Sequence, residues 1–164
     1  MSRIKFSVVG FGRIGQRHAK IINEYPESEL ISIIDVDETQ LDQSSSLDID
    51  TDKFSSIDDF IAKDEGKTKV VCIATPNGFH THYASMLMKA GYHVVIEKPM
   101  GLSTESCEQV LSDMIETGKQ AFVVKQNRYS PPSKWLKEVI DDKMLGDVLM
   151  VQTNCYWNRD ERYY

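Results

Sequence analysis

Short unbroken apolar runs recur along this chain, and stretches with helical spacing separate them. KFSVVG (5–10), LISIID (30–35), KVVCIAT (69–75) and HVVIEKPMG (93–101) are the clearest. They are short and rich in β-branched residues, so they read as buried strands. Between them lie RIGQRHAKIINEY (13–25), the small candidate SIDDFIAKD (56–64), and GFHTHYASMLMKAG (78–91), which closes on Gly91. A helix over 104–117 follows, with Cys107, Val110, Leu111, Met114 and Ile115 on one face and Gly118 at its end. Strands that are apolar on both faces need covering on both. Strands separated by helices run parallel. The expected fold is α/β, a doubly wound parallel sheet of the Rossmann kind, and ligands in such a sheet bind at the carboxyl ends of the strands.

The remaining segments are less regular. QLDQSSSLDIDTDKFSS (40–56) is polar and reads as a mobile surface segment with one short strand near Phe54. QAFVVKQNRY (120–129) reads as a sixth strand. A helix then carries Pro131 or Pro132 in its first turn and Trp135, Leu136, Val139 and Ile140 on one face. Gly146 is expected to stop it, and DVLMVQTNCYWN (147–158) reads as a long strand.

The 164 residues suit one α/β domain, or one domain and part of another. The net charge of -6 is spread over interspersed acids and bases, unlike the basic stripe of a nucleic-acid binder. Cys72, Cys107 and Cys155 are odd in number, far apart and without CxxC pairing. They read as reduced thiols of a cytoplasmic protein, with Cys72 and Cys107 in packing roles. No signal peptide is recognised before the first strand, and no apolar run reaches the roughly 18 residues of a membrane span.

The residues after each strand carry the chemistry. The first strand is followed by Gly10, Gly12 and Gly15 in GxGxxG register. Gly10 permits a tight turn, Gly12 lets the backbone approach a pyrophosphate, and Gly15 lets the helix pack on the strand. The helix beginning at Arg13 and Ile14 offers unpaired N–H groups and partial positive charge. Asp35, after the second strand, is where an acid meets the adenosine ribose hydroxyls. Its charge would repel a 2′-phosphate and no base follows in DVDETQ, so NAD is favoured over NADP. The alternative for Asp35, and more so for Asp37, is a turn or helix-capping aspartate. After the fourth strand, Thr75, Pro76, Asn77 and His80 shape a turn into a helix. Asn77 can donate to a cofactor ribose and His80 can line the cleft, against simple capping and a structural histidine. His18, His82 and His93 read as structural.

Glu97, Lys98 and Pro99 end the fifth strand. A lysine there can hydrogen-bond a substrate hydroxyl and take part in proton transfer during alcohol oxidation. Glu97 can accept from a cofactor ribose, and Pro99 can rigidify the turn through a cis or trans bond. The plainer alternative is a surface ion pair and a strand-ending proline.

SVVGFGRIGQRHA, CIATPNGFHTHYA and HVVIEKPMG, in this order and spacing, resemble the Gfo/Idh/MocA oxidoreductase family along nearly the whole chain. The resemblance implies an NAD(P)-binding Rossmann domain over 1–128. It also implies the incomplete start of an α/β substrate and oligomerisation domain over 129–164. It matches Lys98 to the family's EKP lysine, and Pro76, Asn77 and His80 to cofactor-contacting positions. The tail resembles members that oxidise nucleotide-linked sugars in surface-polysaccharide synthesis, nearest to UDP-N-acetylglucosaminuronate 3-dehydrogenases of the lipopolysaccharide pathway. Arg128 near a strand end suits the cofactor. Arg159, Tyr163 and Tyr164 suit a sugar nucleotide, through a planar fork and aromatic contact.

Family members are much longer and pair the EKP lysine with a histidine in D-x-x-x-H, a pattern not found after residue 129 here. The expectation is therefore an NAD-dependent sugar dehydrogenase represented by its cofactor half, forming homo-oligomers. A non-catalytic NAD-binding module and an S-adenosylmethionine-dependent methyltransferase remain open alternatives.

Overall fold

The computed structural model describes residues 3–46, 51–158 and 161. The chain divides into two compact units, one ending at Val124 and one starting at Lys125.

The first unit alternates strands and helices: β1 (Ile4–Val9), α1 (Arg13–Glu24), β2 (Ser28–Ile34), α2 (Glu38–Ser46), β3 (Asp52–Phe54) and α3 (Ile57–Lys63). It continues with β4 (Val70–Ile73), α4 (His80–Lys89), β5 (His93–Ile96), α5 (Thr104–Thr117) and β6 (Ala121–Val123). The six strands form one parallel sheet in the order β3-β2-β1-β4-β5-β6. The order reverses between β1 and β4, which places a ligand crevice beyond their carboxyl ends.

The period of two along each strand divides the core between the sheet faces. Val9, Ile34, Val71 and Ile73 pack with Phe60 of α3, Leu87 and Met88 of α4 and Val110 of α5. Their neighbours Val8, Ile33 and Cys72 pack on the opposite side with Ala19 and Ile22 of α1 and Leu41 of α2. Cys72 has the packing role its position suggested. Burial pushes its thiol up to about 12, with the Glu97 carboxylate adding to the effect. At the amino end of the sheet, a buried hydroxyl chain links Ser32, Ser7 and Thr68 to Asp64.

Several helix ends follow the sequence closely. Ser103 accepts from the Ser106 amide at the start of α5, and Gly118 closes that helix in the left-handed region at φ 67°. Gly91, at φ 103°, follows α4 in the same way.

Two expectations within these residues are corrected. The polar stretch from 40 is not loop throughout, because α2 reaches Ser46. Leu41 and Ser44 turn inward one helical turn apart, and Asp37 Oδ1 accepts from the Thr39 amide at the helix start. The sixth strand is only Ala121–Val123, and a 3₁₀ turn at Gln126–Tyr129 follows. Its ladder ends where its partner β5 ends, at Ile96.

The second unit contains that turn and α6 (Pro131–Asp141), with proline in its first turn as expected. Of the expected apolar face, Val139 is buried, while Trp135, Leu136 and Ile140 are exposed. Gly146 is not the stop. The helix ends at Asp141, and Lys143 is the first residue beyond it in the left-handed region. The expected strand at 147–158 is corrected too, as these residues form no regular element. A strand needs a neighbour for its N–H and C=O groups, and none pairs with this segment among the described residues.

Candidate functional site

The carboxyl ends of β1, β2, β4 and β5 lie side by side in the sheet, so their loops are neighbours. Gly10 adopts φ 85°, a conformation that side chains disfavour. A Cβ on Gly10 would sit 2.7 Å from the Ala74 carbonyl oxygen, and one on Gly15 would sit 1.8 Å from the Gly10 carbonyl oxygen. These two glycines let the β1 turn, the β4 end and α1 come together. Gly12 differs: a Cβ there would meet nothing within 4 Å. It caps α1 at φ -68° with no side chain bonded to the helix N-terminus. Gly12 thus leaves open space beside unpaired amides, which fits a phosphate. Arg13 and Ile14 are exposed in the first turn.

Asp35 crosses from β2 to this loop. Its Oδ2 accepts from the Phe11 amide at 2.6 Å and its Oδ1 accepts from the Asp37 amide at 2.9 Å. The carboxylate is both a turn organiser and a preoriented acceptor. Beside it lies a cleft of about 470 Å³, within the usual size of a small-molecule site. Gly10, Asp35, Thr75 and Pro76, all singled out in the sequence, line it. The Thr75 hydroxyl oxygen is buried without a hydrogen-bond partner, so it is ready for a ligand. Asn77 is exposed and opens the 3₁₀ turn Asn77–Phe79.

The cleft also contains residues that the sequence reading missed. Phe79, His82, Tyr83 and Met86 line one wall, and Val36, Ser56 and Asp58 complete it. The first four are spaced i, i+3, i+4, i+7, a signal for one helical face that was available in the sequence. The Phe79 and Tyr83 rings stack with centroids 5.5 Å apart.

His80 does not join that wall. It is 1% exposed, with Nδ1 2.7 Å from the Pro99 carbonyl oxygen and Nε2 2.8 Å from the Thr75 carbonyl oxygen. Glu97 also faces protein: Oε1 lies 2.9 Å from His18 Nε2, and Oε2 accepts from the Lys98 amide at 3.2 Å. Lys98 is exposed, and no ion pair or hydrogen bond engages its amine among the described residues. The Lys98–Pro99 bond is cis. Arg128 is exposed in the 3₁₀ turn of the second unit. Arg159, Tyr163 and Tyr164 lie outside the described residues.

Residues 4–125 match the model of the oxidoreductase family with an NAD-binding Rossmann fold, GFO_IDH_MocA. The chain belongs to this family. A relative, the inositol 2-dehydrogenase/D-chiro-inositol 3-dehydrogenase of Halalkalibacterium halodurans, is 27% identical over 91% of this chain and 43% of its own length. Among solved structures, the WlbA dehydrogenase from Bordetella pertussis, in complex with NADH and UDP-GlcNAcA, superposes with a TM-score of 0.91 at 34% identity. That match covers 99% of this chain and 49% of the other. The scyllo-inositol dehydrogenase from Lactobacillus casei, with bound NAD(H) and scyllo-inositol, has a TM-score of 0.80 at 27% identity, over 89% of this chain and 43% of the other. The chain thus spans about half the length of the relatives it matches. The family is one of oxidoreductases with an NAD-binding Rossmann fold. Among the described residues no helix is long and apolar enough to cross a membrane, and no cluster suited to a metal ion is present.

Proposed function

We propose that this chain is the cofactor-binding half of an NAD-dependent dehydrogenase that oxidises a ring hydroxyl of a sugar. One observation carries the reading. An open glycine at a helix N-terminus, a preoriented carboxylate and an unengaged lysine amine follow the carboxyl ends of β1, β2 and β5 in one parallel sheet. In this reading, the backbone from Gly10 to Gly15 and the α1 amides at Arg13 and Ile14 hold the pyrophosphate. Asp35 accepts from the adenosine ribose, which favours NAD over NADP by repelling a 2′-phosphate. Thr75, Pro76 and Asn77 contact the cofactor from the β4 side, and Arg128 is a further residue proposed for cofactor binding. Bound NAD supplies the hydride acceptor. Lys98 holds the substrate hydroxyl and moves its proton as the carbon is oxidised.

The substrate class proposed is a nucleotide-linked sugar of surface-polysaccharide synthesis. The 34% identity to a dehydrogenase crystallised with UDP-GlcNAcA supports it. Arg159, Tyr163 and Tyr164 are the proposed sugar-nucleotide contacts. We assign the protein to the cytoplasm, in keeping with three unpaired cysteines. We also assign it to homo-oligomers, in keeping with the exposed Leu149, Met150, Tyr156 and Trp157.

Calorimetric titration with NAD, NADP and S-adenosylmethionine tests the cofactor assignment. NAD should bind, NADP more weakly, and S-adenosylmethionine not at all. Preferential binding of S-adenosylmethionine would end the dehydrogenase reading.

A further inference from the structure

We infer that His80 is a positioning residue that ties the lysine-bearing turn after β5 to the cofactor-facing turn after β4. Its ring is wedged between two backbone carbonyls from different strand ends, Pro99 and Thr75, at 2.7 and 2.8 Å. Carbonyls only accept, so each contact is a hydrogen bond whenever the facing nitrogen carries a proton. The ring is 1% exposed, and with its nitrogens turned to those carbonyls it serves protein rather than ligand.

The β4 turn belongs to the cleft by other contacts, and the β5 turn packs on the helix that forms part of the cleft wall. Thr75 lines the cleft, and the Thr75 nitrogen would lie 2.9 Å from a Cβ on Gly10, so the β4 turn rests on the glycine loop. The turn after β5 is pressed against the start of α4. A Cβ on Gly101 would sit 2.6 Å from Thr81 Cγ2 and 2.9 Å from Cys107 Sγ. His80 is the first residue of α4, so this helix carries the tie at its start and part of the cleft wall in its next turns. Lys98 immediately precedes the tethered Pro99. Anchoring the Pro99 carbonyl restricts where the Lys98 backbone, and with it the base of its side chain, can go. The purpose assigned to the tie rests on the dehydrogenase reading above, whereas its geometry does not.

Two amide substitutions separate the bonds. In His80→Asn the side-chain nitrogen occupies the place of Nδ1, next to the Pro99 carbonyl. In His80→Gln it approaches the place of Nε2, next to the Thr75 carbonyl. Amide hydrogen exchange at Lys98 is measured by NMR on the 164-residue chain, with Val110 of α5 as a control for global opening. The Lys98 amide should exchange at least about tenfold faster in His80→Gln and His80→Ala, and within about threefold of wild type in His80→Asn. The Val110 rate should stay constant in Asn and Gln. Equal protection by Gln and Asn overturns the inference, as does an unchanged rate in Ala. NAD titration of the same samples keeps the two readings apart. A wild-type chain that ignores NAD refutes the dehydrogenase assignment and leaves the exchange result to decide the tie.

Discussion

His18 Nε2 lies 2.9 Å from Glu97 Oε1, joining α1 to the end of β5 across 79 residues of sequence. The side chains are 21% and 16% exposed, so neither is well solvated. The other Glu97 oxygen accepts from the Lys98 amide, and the pair therefore braces the strand tip from the side of the glycine-loop helix. Removing His18 leaves Glu97 Oε1 partly buried without its partner. His18→Ala should lower stability by about 1–2 kcal/mol in urea denaturation. A double-mutant cycle with Glu97→Gln should give a coupling of about 1 kcal/mol. Strict additivity would show that the contact contributes nothing.

Asp113 on α5 predicts a pH effect. The residue is fully buried, and burial, the largest influence, raises its pKa. Hydrogen bonds from Ser85, Lys89 and Gln109, with the Lys89 charge, outweigh this and hold the carboxyl below its ordinary 3.8. A carboxyl depressed in the folded state contributes stability above its unfolded pKa and loses it as pH falls through the folded value. Wild-type stability should therefore drop on acidification below about pH 4. In Asp113→Asn the drop should be shallower in that window. Parallel profiles for the two proteins, measured by urea midpoint against pH, would contradict the assignment.

Asp35 carries two roles, and a substitution should affect both. Asp35→Ser removes the acceptor for the Phe11 amide, at a loss of about 1 kcal/mol in stability. It should also weaken NAD binding by about tenfold or more and raise the ratio of NADP to NAD affinity, because a charged acceptor and its repulsion go together. Calorimetry with both dinucleotides measures this. An unchanged ratio would mean that the carboxylate does not face the 2′ position.

The parts legible in sequence are those set by local chemistry. Val8 and Val9 face opposite sides of the sheet, as do Ile33 and Ile34, because strand geometry imposes alternation. Gly10, Asp35 and Lys98 fall at strand ends, and the strand ends could be read from composition. Long-range pairings were not legible. Nothing local distinguishes His18 from a surface helix histidine, and its partner is fixed only when the sheet brings β5 beside α1. The motif around His80 adjoins the cleft and suggests a cleft residue, whereas both ring nitrogens turn to backbone. The Ser-rich α2 was missed because Leu41 is its one buried large apolar residue among the described side chains. The expected strand at 147–158 shows the limit of apolar composition, which does not supply the partner a ladder requires.

Gly12 and Gly15 belong to one motif yet should fail in different ways. A methyl on Gly15 would overlap the Gly10 carbonyl oxygen, a backbone atom fixed by the turn, and nothing flexible is there to yield. Gly15→Ala should destabilise by more than about 3 kcal/mol or prevent folding, with loss of binding as a consequence. A methyl on Gly12 would enter open space at an ordinary backbone conformation. Gly12→Ala should keep its stability within about 1 kcal/mol, yet bind NAD at least about tenfold more weakly, since the methyl stands where the pyrophosphate must approach. Thermal denaturation and calorimetric titration on each variant separate the two failures. A Gly12→Ala protein that binds NAD as well as wild type would move the pyrophosphate away from the start of α1.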